Sequence, residues 1–402
     1  MKILVTHPGR QHSHQAALAL EAAGLLAGYW SGVPSSPEQG RVVPRPLWRR
    51  LIRYAPVPLP VHLTRWAPTA PLLRQAAHRL PRAVAQEIDF AACRIFDRQA
   101  ARRLARLAPS ERPGAVLACE ISAQETFGVA RRLGIRTWLD APSIHHHAQD
   151  RLHGTTDSAR LHARIARVKD REIELADAIV TVSELARATY VEAGIDPGRV
   201  RAVPLGADLE LFAPPAQEPA RGPGTVFLFA GAPIVRKGFD LLLAAFARVV
   251  AAEPSATLRV VGPRGGEAAR EGMTFVGPVG QTELAAEMSR ADCLVLPSRN
   301  DSYGMVVAEA LAAGLPVVVS DMVGAAELVV PGENGWVVPA GDGGALSERL
   351  LSLAHPPGGP ALLRSMRPRC GASAVGATWE AYRDRFVLLA RELLARPAGS
   401  VR

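Results

Sequence analysis

Pro297-Ser-Arg-Asn-Asp-Ser-Tyr-Gly-Met-Val-Val-Ala-Glu-Ala-Leu-Ala-Ala-Gly-Leu-Pro316 is the stretch on which the fold turns. The apolar run Cys293-Leu-Val-Leu296 before it has the composition of a parallel strand buried on both faces. A short Ala-rich helical pattern follows the polar segment. Strand, loop and helix in that order put Asp301 in a loop at the strand's carboxyl end and Glu309 about a turn into the helix. In open α/β sheets this edge is where ligands bind. Backbone N–H groups at a helix start can hold an anion. Carboxylates can accept hydrogen bonds from hydroxyls. An anion together with hydroxyls describes a sugar phosphate or a nucleotide-sugar. Alone, the pair fits a capped helix with an ordinary surface aspartate equally well, so the rest of the chain has to decide.

A chain of 402 residues, 48% hydrophobic, exceeds one ordinary domain, and two is the natural expectation. Only three of its 47 Lys+Arg are lysines: Lys2, Lys169 and Lys237. Residues 1–210 hold 29 Lys+Arg against 20 Asp+Glu, whereas residues 211–402 hold 18 of each, so the +9 charge belongs to the first half. A basic half points to an anionic partner or to a solvated Arg-rich surface. Nucleic acid is disfavoured, because helix-turn-helix, zinc-finger and aromatic-basic RNA motifs are absent. Cys93, Cys119, Cys293 and Cys370 are scattered without a C-x-x-C, which argues for a reducing compartment and against a disulfide framework or structural zinc. Met1-Lys-Ile-Leu-Val-Thr-His7 is too short an apolar run for a signal peptide and reads as a first strand. No apolar run reaches about 18 residues, the length of a membrane span. The expected location is cytoplasmic, with peripheral contact at the inner face of an anionic membrane as a further option.

Strand and helix signals alternate through both halves, which implies parallel sheets covered on both faces. The expected layout is an N-terminal acceptor-side domain over 1–210, a Pro/Gly-rich linker over 211–224 and a second domain over 225–375. A C-terminal helix within 376–402 crosses back to the first domain. Residues 31–82 interrupt the first half with Pro, Arg, Trp48, Tyr54 and Trp66. Such proline density forbids a long helix or a central strand, so an irregular insertion with short helices is expected. Trp48 and Trp66 beside arginines could anchor it on an anionic membrane.

Ala230-Gly-Ala-Pro-Ile-Val-Arg-Lys-Gly-Phe-Asp240 follows the first strand of the second half. Gly231 permits close backbone approach. Arg236 and Lys237 sit just before a helix, where paired cations and free amides suit a diphosphate. The alternative is two solvated loop cations.

Taken in order, these pieces resemble the nucleotide-sugar domain of family 4 glycosyltransferases, the retaining GT-B enzymes. Val203-Pro-Leu-Gly-Ala-Asp208 with Phe212 resembles the segment that closes the first domain. Arg236-Lys-Gly-Phe-Asp240 resembles "KGxD", Val260-Val-Gly262 the "IVG" strand end and Val276-Gly-Pro-Val279 the base-pocket segment. Asp301 to Glu309 resembles the two-glutamate motif, followed by Gly314-Leu-Pro316, by Gly324 with Glu327 and by Gly332-Glu-Asn-Gly335. The likeness spans about residues 170–340. It implies an α/β fold of two doubly wound Rossmann-like domains facing across a cleft. It also implies a nucleoside-diphosphate sugar, UDP- or GDP-linked, as substrate, without a cofactor or metal. By that resemblance Arg236 and Lys237 neutralise the departing diphosphate, Glu309 binds the ribose and Asp301 holds the donor sugar. The backbone of Tyr303, Gly304 and Met305, with Val306, meets sugar or phosphate, and Gly231, Gly262 and Val279 line the donor site. Asp301 stands where glutamate is usual, Ala232 where an arginine is usual, and His7-Pro-Gly-Arg10 where a Gly-Gly turn is usual.

In the first half, Gly9 and Arg10 follow the first strand at the ligand edge, where the backbone could approach the donor's sugar-phosphate, with His12 and His14 nearby. Asp140-Ala-Pro-Ser-Ile-His-His-His147 leaves another strand there and resembles the place of a histidine near the donor sugar, a role open to His145 or His146. Three consecutive histidines are not expected to converge on one metal ion, for which helical i, i+4 spacing is usual. A surface cluster is the plain alternative. Glu120 could orient an acceptor or simply be solvated. The leading expectation is therefore a metal-independent, retaining hexosyltransferase-type enzyme in polysaccharide or glycolipid biosynthesis. Its acceptor would be a carbohydrate, a lipid-linked compound or another small molecule. A sugar-nucleotide epimerase of the same fold and a non-catalytic nucleotide-sugar-binding partner are the alternatives.

Overall fold

A computed structural model describes residues 1–34, 57–77, 80–153, 158–215, 222, 224–263 and 270–396. Trp48, Tyr54 and the rest of 35–56, together with most of the linker from 216, lie outside them. The chain forms two compact units. One comprises Met1–Val182, Arg187–Val203 and Tyr382–Arg402; the other comprises Ser183–Ala186 and Pro204–Ala381.

Each unit is built on one parallel sheet. The first has strand order β3-β2-β1-β4-β5-β6-β7. Its strands are β1 Ile3–His7, β2 Leu26–Ser31, β3 Thr64–Trp66, β4 Ala115–Cys119, β5 Arg136–Ala141, β6 Ala178–Thr181 and β7 Val200–Ala202. The second has order β10-β9-β8-β11-β12-β13, from β8 Val226–Ala230, β9 Thr257–Val261, β10 Met273–Gly277, β11 Cys293–Leu296, β12 Val317–Ser320 and β13 Gly335–Val338. The first unit's helices are α1 Ser13–Ala22, α2 Thr69–Ala77, α3 Arg82–Ala105, α4 Gln124–Arg132, α5 His146–His153 and α6 Ala159–Leu175. Helix α7 Glu184–Glu192 follows β6. The second unit carries α8 Phe239–Ala252, α9 Gln281–Arg290, α10 Met305–Ala312, α11 Gly343–Ala354 and α12 Gly358–Ala374, and α13 Trp379–Ala395 ends the chain.

The central strands are apolar without alternation because helices cover both faces. In β11 and β12, Cys293 to Leu296 and Val317 to Val319 are wholly buried. Phe227, Phe229, Phe239 and Phe246 fill the face beneath α8, with the Phe229 and Phe239 rings 5.0 Å apart. Each such burial stabilises by roughly 1.5–3 kcal/mol. In the first unit, Phe96, Leu104, Phe127 and Leu139 pack in one core cluster. Helix α13 joins this unit's contacts: Arg383 donates to Gln15 Oε1 at 2.9 Å, and Arg136 to the Arg396 carbonyl at 2.9 Å.

Two buried carboxylates shape the loop after β4. Glu172 of α6 accepts from the N–H groups of Ile121, Ala123 and Gln124 at 2.6, 2.8 and 3.1 Å. Asp97 of α3 accepts from Glu125 and Thr126 N–H at 2.8 and 2.9 Å. Between them they satisfy orphan donors around the start of α4, and they hold Ile121 at a left-handed φ of 68°.

The described part of the Pro-rich segment contains the short helix α2, as expected, and a short strand, β3, that was not expected. Strand β3 is at the sheet edge and Pro68 falls just beyond it, so no ladder donor is lost. Strands β2 and β13 and helix α12 extend the alternation. Pro368 sits inside α12 and weakens its helical signal.

Both sheets have a topological switch point. In the first it lies between β1 and β4, and in the second between β8 and β11. Adjacent strands whose connections leave in opposite directions open a crevice at the carboxyl edge. Residues 231–238 and 297–304 are the loops at the second crevice.

Candidate functional site

In the second unit the loops after β8 and β11 meet side by side. The Lys237 ammonium forms an ion pair with Asp301 Oδ2. Arg236 donates from Nη1 to the Asn300 carbonyl at 3.1 Å and is otherwise exposed. Arg299, which the sequence did not single out, ties the same loops. It forks onto Asp240 at 2.7 and 2.8 Å and donates to the Val235 carbonyl at 2.7 Å. The Arg299 N–H also reaches the Arg236 carbonyl at 2.9 Å. The lone signal for Arg299 was its place beside Asn300 and Asp301.

Two glycines permit this approach. Gly238 has φ 67°, and a Cβ there would lie 1.9 Å from the Pro297 carbonyl oxygen. Gly304 has φ 83°, and its Cβ would meet Val323 at 2.7 Å. The 301–304 loop is pinned from outside: Asp301 N–H donates to the Met322 carbonyl, Gly324 N–H to that of Asp301 and Ala325 N–H to that of Tyr303. The Gly304 carbonyl takes the Val307 N–H at 2.9 Å, so the N–H groups of Gly304 and Met305 stand ahead of the helix ladder. Met305 and Val306 are half-buried, whereas the Tyr303 ring is buried.

Glu309 lies further along α10. It is buried and meets no cation among the described residues. Burial pushes its carboxyl up to about 7. Asn300 Oδ1 and Ser298 Oγ are also buried beside this loop without a hydrogen-bond partner among the described residues. Gly231 and Gly262 stand together, since a Cβ on Gly262 would lie 2.0 Å from the Gly231 carbonyl oxygen. Val279 is half-buried beyond β10.

The first unit's crevice is rich in histidine. Gly9 N–H donates to His7 Nδ1 at 2.8 Å, and the Gly9 carbonyl accepts from Ser31 Oγ at 3.1 Å. Arg10, next in the chain, is half-buried. His12 Nε2 lies 2.9 Å from Asp140 Oδ1, both buried. Burial works against a charge on His12, yet Asp140 outweighs it and raises the imidazole above its ordinary value. Burial alone would raise Asp140, but His12 holds it below the usual carboxylate range. Local sequence places His12 near the ligand edge, whereas its partnership with Asp140 needs β1 and β5 to be folded together.

His145 and His146 are buried and only His147 is exposed, so they are not a surface cluster. Their potential ligand nitrogens, with those of His147, lie within 4.8 Å of one another, closer than consecutive positions led us to expect. The cause is the start of α5 at His146, which stacks the His145 and His146 rings 4.3 Å apart at 26°. Burial, then the neighbouring histidines, lowers His145 to about 3. Burial, then Lys169, lowers His146 to about 4. Both are neutral hydrogen-bonding groups at physiological pH. Asp170 Oδ1 lies 2.9 Å from His146 Nε2 but out of line for a hydrogen bond. Glu120 is neither solvated nor free for an acceptor: it pairs with the buried Lys169 at 3.1 Å and accepts from Ser143 Oγ.

Two Rossmann-like units, the second with basic and acidic loops meeting at its switch point, define the GT-B class, and the chain has that fold. Sucrose-phosphate synthase from Thermosynechococcus elongatus aligns over 98% of this chain and 99% of its own, with TM-score 0.70 at 22% identity. Anabaena HepE in complex with UDP-glucose aligns over 98% and 100%, with TM-score 0.64 at 15% identity. Residues 224–355 match the family described as Glycosyl transferases group 1. D-inositol 3-phosphate glycosyltransferase 2 of Catenulispora acidiphila is 32% identical over 215 residues, 47% of this chain and 50% of that protein. The chain thus spans about half the length of the curated relatives it matches.

Proposed function

We propose that this protein is a glycosyltransferase that moves a sugar from a nucleoside diphosphate to an acceptor hydroxyl with retention at the anomeric carbon. The observation that carries the reading is the contact of Lys237 with Asp301 at the β8/β11 switch point, flanked by Arg236 and by the cation-free Glu309.

In this reading the diphosphate sits against Arg236, Lys237 and the free N–H groups that open α10. Negative charge grows on it as the glycosidic bond breaks, and fixed donors act most strongly where charge develops. Lys237 is already held in place by Asp301, so little reorganisation is needed. Asp301 has a second oxygen with which to accept from a donor-sugar hydroxyl. Glu309 accepts from the ribose hydroxyls. The acceptor hydroxyl attacks on the face the diphosphate leaves, and a diphosphate oxygen takes its proton. The positive charge that such a step requires comes from the two side chains, so the activity is metal-independent. Acceptor recognition falls to the first unit. A UDP-sugar is the first donor to test, since HepE holds UDP-glucose on the same fold. A phosphorylated polyol is the first acceptor, after the name of the Catenulispora relative.

The test is a thermal-shift panel of nucleotide-sugars followed by transfer assays with the stabilising donor. One donor should raise the melting temperature by mass action, and Lys237→Ala should abolish that rise with the fold intact. Consumption of donor without acceptor would point to an epimerase. Binding without turnover under any acceptor would point to a non-catalytic partner. A shift unchanged in Lys237→Ala would remove the site from this position.

A further inference from the structure

A second cavity, of about 600 Å³, lies on the β2–β3 flank of the first sheet against the last turns of α3. Trp30 and Trp66 wall it, and Arg65, Arg102, Arg103 and Arg106 surround it. No aspartate or glutamate lines it. Among the described residues, none of the four guanidiniums forms an ion pair. Other arginines of the chain do: Arg94 with Asp97, Arg164 with Glu87, Arg259 with Glu287. Among the described residues Arg65 donates to the backbone, to the carbonyls of His62 and Thr64 at 3.1 and 3.0 Å, and to no carboxylate. The Arg103 guanidinium lies over the Trp30 ring, 5.6 Å from its centroid. Burial, then the charge of Arg65, pushes Arg103 below its ordinary value.

Four like charges gathered on an aromatic wall repel one another, and a bound anion relieves that repulsion. Guanidinium forks match phosphate oxygens, and the tryptophan faces offer apolar area to whatever carries the phosphate. Thr69 Oγ1 and Gln99 Oε1, 3.0 Å apart at the rim, can bond hydroxyls. The volume is that of a small-molecule site.

We infer that this cavity binds a phosphate-bearing polyol, either free in solution or as the headgroup of an anionic phospholipid. Trp66, with its Nε1 bonded to the Gly32 carbonyl at 2.9 Å, is then a wall of that site. The inference rests on the first unit alone and stands apart from the transferase reading.

The experiment uses the full chain carrying Arg236→Gln and Lys237→Ala, so that the second unit's cations do not compete for the probe. Two probes are titrated at low salt: inorganic pyrophosphate by calorimetry, and phosphatidylcholine vesicles with and without phosphatidylglycerol by sedimentation. The pocket variant adds Arg103→Gln and Arg106→Gln. The control adds Arg248→Gln on the exposed face of α8. The expected result is binding of one or both anionic probes, weakened at least about tenfold in the pocket variant and unchanged in the control. Pyrophosphate alone would assign a soluble ligand, and phosphatidylglycerol vesicles alone a lipid headgroup. Binding of neither probe, or equal binding by pocket variant and control, would overturn the inference.

Discussion

Lys237 and Glu309 face opposite electrostatic situations within one crevice. Lys237 is neutralised by Asp301, and losing it leaves a half-buried carboxylate where a diphosphate should go. Lys237→Ala is expected to lower kcat/KM by about 10²–10³-fold, the scale of losing one fixed donor at a developing charge, measured by steady-state transfer assays. Glu309 has no such partner, and burial raises it to about 7. The carboxylate accepts from ribose hydroxyls more strongly than the neutral acid does, so donor affinity should rise as pH increases from 6 to 8 and then level off. The folded protein holds the Glu309 proton more tightly than the unfolded chain does. Its stability without donor therefore falls as pH rises from the ordinary glutamate range to about 7. Glu309→Gln should accordingly melt above wild type at pH 8 and with it at pH 4, while binding donor more weakly. A melting difference of the same size at both pH values would refute this account of Glu309.

At the scale of elements, what matters is how helices begin. Helices α8 and α10 start at Gly238 and Gly304, each in the left-handed region and each pressed against a neighbouring loop. Gly238→Ala would force the Pro297 carbonyl away and separate Lys237 from Asp301. We expect a loss of about 2 kcal/mol or more by chemical denaturation, with the donor-induced thermal shift diminished. Helix α4 starts on the carboxylates of α3 and α6. Glu172→Ala would strand three backbone N–H groups, at a cost of roughly 2–4 kcal/mol. Because Glu172 serves the first unit, donor stabilisation of the remaining folded protein should be unaffected. These starts were only partly legible. Glycine before Phe239 and before Met305 marked helix boundaries, whereas nothing near Gln124 indicated that its cap would come from Asp97 and Glu172, far along the chain.

For the whole molecule, two parallel sheets each place a crevice at a strand-order reversal, and the chemistry assigned to the second needs only side chains and helix ends. Full transfer activity is therefore expected after exhaustive treatment with EDTA; loss restored by added Mg²⁺ or Mn²⁺ would contradict the assignment of charge stabilisation to Arg236 and Lys237. By itself the sequence determined most of the alternation of strands and helices, the two-sheet organisation and, Arg299 apart, the loops of the second crevice. Apolar runs, glycines and rare lysines are local signals that survive without knowing which strands are neighbours. Only the tertiary structure decided that β8 lies beside β11, so that Lys237 meets Asp301 and Arg299 meets Asp240. It also decided that β1 and β5 bring His12 to Asp140, that Glu120 is taken by Lys169, and that four arginines share one cavity wall. Strand order and helix docking follow from burial summed over whole sheets, and no single stretch of the chain carries that sum.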